Sequence, residues 1–176
     1  MKVTDTNTKN KFFDSYHIQG TGPGSITYGL EHDGKMVAMM TFISRGDGEY
    51  ELNRYASSIR VVGGFSKLLK KFQQTYEWKS ILSFADLRWS DGNMYDKNGF
   101  VLDKVLSPDY RYVIGNETFH KFAFRRDALA KGKIPHFDPE LSEVQNMRNA
   151  GYYRIFNCGL LRYVINNTKR SEKLCY

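Results

Sequence analysis

VVGGFSKLLKKFQQTY, residues 61–76, lies between two stretches of strand character, and a helix in that place restricts the architecture more than any other feature. Phe65, Leu68, Leu69 and Phe72 recur at i, i+3, i+4 and i+7 with lysines on the other side. That is the pattern of an amphipathic helix, here opening on Gly63-Gly64. Before it, SITYGL (25–30) reads as a strand, HDGK (32–35) as a type I′ turn, and MVAMMTFI (36–43) as the returning partner. RGDGE (45–49) breaks the chain and YELNRYAS (50–57) resumes it. Leu52 and Tyr55 are apolar there but off strict alternation, so a bulge is expected near Asn53.

After the helix, SILSFAD (80–86) is a buried strand and SDGNMYDKNGF (90–100) a loop with a short helix ending at Gly99. FVLDKVLS and YRYVIG supply two further strands. Strands joined through helices pair in parallel, whereas the hairpins pair antiparallel. The order β-β-β-α-β-α-β-β therefore predicts a mixed α/β domain over residues 12–118. Residues 1–11 read as a loose polar lead-in. Residues 119–176 read as a small basic α+β appendage: helix-prone FAFRRDALAKGK, then DPELSEVQNMRNAG as a capped helix with Pro in its first turn, then two strands around Asn157-Cys158-Gly159.

A chain of 176 residues that is 41% hydrophobic can bury one real core, with a small addition. The formal charge of +7 favours a polyanionic partner such as nucleic acid, or belongs to a merely soluble basic protein. No basic arm is present, so a nucleic-acid surface has to be assembled by folding. Two cysteines, Cys158 and Cys175, are too few for a disulfide framework or a Cys-based zinc site and read as reduced thiols. No apolar run reaches about 18 residues, and MKVTDTNTKNK lacks the apolar centre of a signal peptide. A cytoplasmic protein with no membrane partner is expected.

Several residues could carry chemistry. Arg60, Gly63 and Gly64 stand where a helix N-terminus could seat a phosphate, or where glycines merely ease a strand into a helix. Glu51, Asn53 and Arg54 place polar groups on a strand, which suits a cleft lining or a structural Glu–Arg pair. Asp86 ends an apolar strand, where open α/β sheets bind ligands, and is either a base or metal ligand or the start of an Asx turn. Tyr95 could act as an acid or simply pack. His17 stands just before the first strand and is a site residue or a structural one. His120 and His136 carry no zinc-ligand spacing.

With these residues in place, the strand order and the Gly-opened helix after the third strand resemble the GNAT acyltransferase fold. More narrowly, ELNR followed by that helix and by SFAD…GNMYDKNGF looks like the phage Mom-type DNA-modification proteins, with their ELNR strand, SYAD strand end and Gly-x-x-Tyr helix. The stretch from His17 to about Tyr112 also looks like a phage domain found fused to homing-endonuclease-type modules. The resemblance implies a phage-encoded transferase that modifies a DNA base or nucleotide, with an anti-restriction role. It implies a cleft of Glu51, Asn53, Arg54, Asp86 and Tyr95 with His17 opposite, and iron held by His17 and Asp86. Arg54, Arg88, Trp89, Arg125 and Arg126 would contact DNA, Trp89 by stacking on a flipped or single-stranded base.

Two departures stand against the patterns. Arg60 and Gly63 fit the GNAT pyrophosphate motif, but Phe65 occupies the second small-residue position, which argues against acyl-CoA. Leu-Arg-Trp-Ser-Asp-Gly follows the strand where Mom-type proteins carry Gly-His. The alternatives are a non-catalytic DNA-binding or host-takeover module on this fold, and an acyl-CoA-dependent N-acetyltransferase.

Overall fold

A computed structural model describes residues 2–3 and 5–168; Cys175 lies outside the described residues. In chain order the elements are β1 (Lys2–Val3), α1 (Thr6–Tyr16), β2 (Ile26–His32), β3 (Lys35–Gly46), β4 (Glu49–Ser57), α2 (Gly64–Thr75), β5 (Ser80–Asp86) and α3 (Asn93–Asp96). They continue with β6 (Val101–Leu106), β7 (Tyr110–Ile114), β8 (Glu117–His120), α4 (Arg126–Ala128), α5 (Glu143–Asn149), β9 (Tyr153–Phe156) and β10 (Leu160–Asn166). They pack as two units that interleave in sequence. The first holds the described residues up to 85, 91–105 and those from 161 on; the second holds 86–90 and 106–160.

The first unit contains a seven-stranded sheet in the order β1-β2-β3-β4-β5-β10-β6. The β2–β3 hairpin turns through Asp33 and Gly34, both at positive φ, as the Asp-Gly signal requires. β3 and β4 pair antiparallel, and the register steps from Thr41↔Arg54 to Phe42↔Leu52, so Asn53 is the extra residue of the expected bulge. β4 and β5 then pair in parallel from Glu49↔Ser80 to Glu51↔Leu82. Ala38, Met40, Phe42 and Leu52 turn to one face, against Phe65, Leu68, Leu69 and Phe72 of α2. Met39 and Ala56 turn to the other, against Phe12 and Phe13 of α1. Each fully buried ring or leucine is worth about 2–3 kcal/mol, so helices on both faces fix the register of β3 and β4 from two sides.

The lead-in expected over residues 1–11 is instead the start of α1. Asp5 caps it, its Oδ1 accepting from the amides of Asn7 (2.9 Å) and Thr8 (3.0 Å). Lys9 is buried with Phe12 and Phe13. A lysine at the first position of the i, i+3, i+4, i+7 stripe hides the stripe.

The second unit contains a sheet in the order β8-β7-β9. Tyr112, Phe124, Leu129, Ile134 and Met147 form its core. YRYVIG, expected in the main sheet, is β7 of this smaller one. The two closing strands were expected together; β9 pairs with β7, whereas β10 lies between β5 and β6. FAFRRDALAKGK is broken into short turns with Gly132 at φ 85°. The capped helix starts later than expected: Pro139 precedes it, and Ser142 with Gln145 forms a capping box at its N-terminus.

Candidate functional site

The parallel β4–β5 ladder runs to Glu51↔Leu82, and beyond it a side chain bridges the strands. Ser83 Oγ donates to the Leu52 carbonyl at 2.8 Å. Tyr95, carried by α3, sets its Oη 2.9 Å from Ser83 Oγ and 3.4 Å from the Phe84 carbonyl. Ser83 Oγ thus also donates toward the Tyr95 hydroxyl, whose own proton is directed at the Phe84 carbonyl. Phe65, Phe100 and Tyr163 pack against the Tyr95 ring. Burial pushes the Tyr95 hydroxyl pKa up, opposed by its Ser83 hydrogen bond and the Arg54 charge, so it keeps its proton at neutral pH.

The bulge on β4 faces the loop that follows α1. Glu51 is buried, paired with Arg45, and accepts from Asn53 Nδ2 at 3.1 Å. Arg54 donates from Nε to the Gly20 carbonyl at 3.2 Å and from Nη1 to the Asn53 carbonyl at 2.9 Å. Burial lowers the Arg54 pKa, opposed by the charges of Glu51 and Tyr95. Lys9 Nζ reaches the carbonyls of Gly22 (3.1 Å) and Gly24 (3.3 Å) and ties the loop to α1. Asn53 Oδ1 is buried and is the one such side-chain oxygen or nitrogen without a hydrogen-bond partner among the described residues. Gly22 lets the loop come that close: a Cβ there would fall 2.5 Å from this oxygen.

His17 begins the same loop. Its Nδ1 accepts from the Gln19 amide at 3.1 Å, which puts the ring proton on Nε2. Burial, and then the Arg54 charge, lower its pKa from 6.5 to about 4. Neutral His17 therefore presents a donor at Nε2; to act as a base or metal ligand there it must change tautomer. Thus Glu51, Asn53, Arg54, Tyr95 and His17 belong to one connected region of the first unit. Lys9, Ser83 and Gly22 complete it. None of the three is marked in the sequence; the spacing of Lys9 with Phe12, Phe13 and Tyr16 is the one pattern that leads to any of them.

At the opening of α2, Gly63 adopts φ 69°, and a Cβ on Gly64 would meet Tyr55 Oη and Val61 Cγ1 at 3.0 Å. No side chain caps the first turn of α2. Arg60 is exposed beside it. Phe65 is only 5% exposed and its ring packs on Tyr55, Tyr95 and Phe100. It therefore does not cover the turn, and the expectation that Phe65 would bar an acyl-CoA is corrected: a residue two places into a helix can turn inward while its amide stays at the helix end.

Asp86 and the nucleic-acid candidates other than Arg54 belong to the second unit. The Asp86 carboxylate accepts from the Arg88 amide at 3.0 Å and forms a bidentate pair with the Arg88 guanidinium, Nη2 to Oδ2 being 2.6 Å. Its carbonyl accepts from Trp89 and Ser90. This is the Asx-turn arrangement. Trp89 is 62% exposed. The Arg125 guanidinium lies 4.2 Å from the Phe122 ring centroid, and Arg126 donates to the Pro139 carbonyl. Among the described residues no cluster of three or more His, Cys, Asp and Glu could hold a metal, and no helix is long and apolar enough to cross a membrane.

No family model matches the chain, and no curated protein does. Solved structures do. An IAA acetyltransferase from Bacillus cereus is similar with a TM-score of 0.51 at 12% identity, over 94% of this chain and 97% of that one. An acetyltransferase from Bacillus subtilis in complex with CoA gives 0.50 at 11% identity, over the same shares of 94% and 97%. A GNAT family acetyltransferase from Elizabethkingia anophelis with acetyl-CoA bound gives 0.48 at 10% identity, over 93% of this chain and 84% of that one. The fold is GNAT-type. None of the three is described as acting on DNA.

Proposed function

We propose that the protein is an acyl-CoA-dependent transferase whose reaction cleft opens where β4 and β5 part. The observation that carries this reading is the Asn53 bulge beside a parallel pair bridged by Ser83, next to the α2 turn, where no other side chain comes within 4 Å of a Cβ built on Gly63. An acyl-CoA supplies an acyl group on a thioester, and attack by an amine forms the C–N bond as the C–S bond breaks and a thiolate leaves. Gly63 and the uncapped amides that open α2 would hold the pyrophosphate, with Arg60 as its counter-charge, while the Gly64 amide stays bonded to the Val61 carbonyl at 3.1 Å. Tyr95, kept protonated by burial, would give its proton to the leaving sulfur and recover one from that shed by the attacking nitrogen, so that the thiolate leaves as the thiol. Glu51 and Asn53 would orient the acceptor, and the Nε2 donor of neutral His17 would bind it. An acyl-CoA is favoured over iron because the turn suits a phosphate and no metal cluster is gathered among the described residues.

Calorimetry with acetyl-CoA and CoA tests the reading. Binding in the micromolar range is expected, weakened at least tenfold by Gly64→Val, whose side chain crowds Tyr55 and Val61. A wild-type protein that takes up neither ligand sinks it.

A finer version, in which the acceptor is a DNA base, is favoured by the formal charge of +7 and by exposed Trp89. Asp86 would then serve as base or ligand only after release from Arg88. Mass spectrometry of nucleosides from DNA of expressing cells decides it: an acylated or otherwise altered nucleoside supports this acceptor, and an unmodified digest removes it.

A further inference from the structure

We propose that the second unit binds single-stranded nucleic acid along a row of aromatic rings flanked by cations. The proposal stands apart from acyl transfer and uses none of the residues of the β4–β5 cleft. On the β7–β9 pair, Tyr110 faces Phe156 and Tyr112 faces Arg154. The Arg154 guanidinium lies 5.0 Å from the Tyr110 centroid and 5.3 Å from that of Phe156. Lys121 Nζ lies 5.2 Å from the Tyr110 centroid and 5.9 Å from that of Phe122, and Arg125 covers Phe122 at 4.2 Å. Two cation–aromatic stations, one at Phe156 and one at Phe122, thus meet through Tyr110.

Both stations are open. Phe122 is 57% exposed and Phe156 52%. A cleft of about 300 Å³ lined by Tyr112, Val144, Arg148, Tyr153, Arg154 and Phe156 adjoins the Phe156 station. Arg125, Arg148 and Arg154 form no salt bridge among the described residues, whereas Lys121 is paired with Asp109. Glu143 accepts from the hydroxyls of Tyr112 at 3.1 Å and Tyr110 at 3.4 Å.

Exposed rings gathered into one patch mark an interaction surface, and every base offers a face to stack on them. An arginine stacked on a ring still turns its N–H edge outward, where a phosphate can take it in a bidentate grip. Rings alternating with cations match the alternation of bases and phosphates in an unpaired strand. A duplex hides its base faces, and an acidic peptide gives the rings nothing flat to stack on. Two joined stations favour a strand over a free mononucleotide.

Fluorescence anisotropy of the full chain with labelled oligothymidylate tests this. Wild type is expected to bind it more tightly than duplex of equal length. Phe156→Ala and Phe122→Ala should each weaken binding about tenfold, the scale of one lost stacked base. Arg154→Gln should also lower the salt slope by about 0.7, as for one lost phosphate contact on a single strand. Lys70→Gln, on α2 of the first unit, should bind as wild type, and circular dichroism checks that each variant is folded. Because Phe156 and Phe122 are both more than half exposed, their removal leaves the core intact. Absent binding, equal binding of duplex or polyglutamate, full competition by thymidine monophosphate at equal nucleotide concentration, or unchanged affinity in the folded ring variants would each overturn the proposal.

Discussion

Protonating His17 sets a charge beside Arg54 in a half-buried loop and breaks the acceptor role of Nδ1 toward Gln19. Its folded pKa of about 4 lies below the ordinary 6.5, so the unfolded chain binds the proton first as acid is added. Stability attributable to the neutral ring is complete above pH 6.5 and falls progressively toward pH 4. Urea midpoints at pH 7 and pH 5 should show the wild type losing more than His17→Gln; equal losses would contradict the assignment. Gly22 offers a second residue-scale test. A methyl there meets Asn53 Oδ1 at 2.5 Å, so Gly22→Ala should cost about 1–3 kcal/mol in equilibrium unfolding. Of this region, the Asn53 bulge was legible because Leu52 and Tyr55 break alternation, and the structure does turn both toward the α2 side. The inward turn of Phe65 was not legible, since a motif position fixes an amide and leaves the side-chain direction to packing.

At the scale of elements, local chemistry was readable wherever it was self-contained. The Asp33-Gly34 turn needs positive φ twice, and the α2 stripe needs only its own spacing. α1 was missed because Lys9 occupies an apolar position and satisfies its charge on two carbonyls thirteen and fifteen residues away. Replacing Lys9 with Met should leave those carbonyls unpaired, costing about 1–3 kcal/mol. Faster amide exchange at Gly20–Gly24 than in wild type would register the loosened loop. In α5 the expected start was misplaced by Pro139, whereas Ser142 and Gln145 cap the helix reciprocally. Ser142→Ala should lower the stability of the second unit by about 1 kcal/mol, read from its unfolding midpoint.

At the scale of the whole molecule, hydrophobic period says which face of a strand is buried but not which strand lies beside it. Hence β10, written next to β9 in the sequence, could enter the other sheet between β5 and β6 without any local sign. The same interleaving separates Asp86 from Tyr95 into different packing units although nine residues divide them in sequence. It also makes the two proposed activities, acyl-CoA binding and single-strand binding, separable by experiment. A ligand that binds only the folded state at a hundred times its Kd stabilises by about 2.7 kcal/mol. If acetyl-CoA seats on the α2 turn, that gain should appear as slowed amide exchange in Val61–Ser66 and Glu51–Tyr55. The segments of the second unit, Tyr110–Ile114 and Tyr153–Phe156, should exchange at their unliganded rates. Oligothymidylate should reverse this pattern, slowing exchange in β7 and β9 and sparing the α2 turn. Protection of the same segments by both ligands would place them on one surface and remove the division of labour between the units.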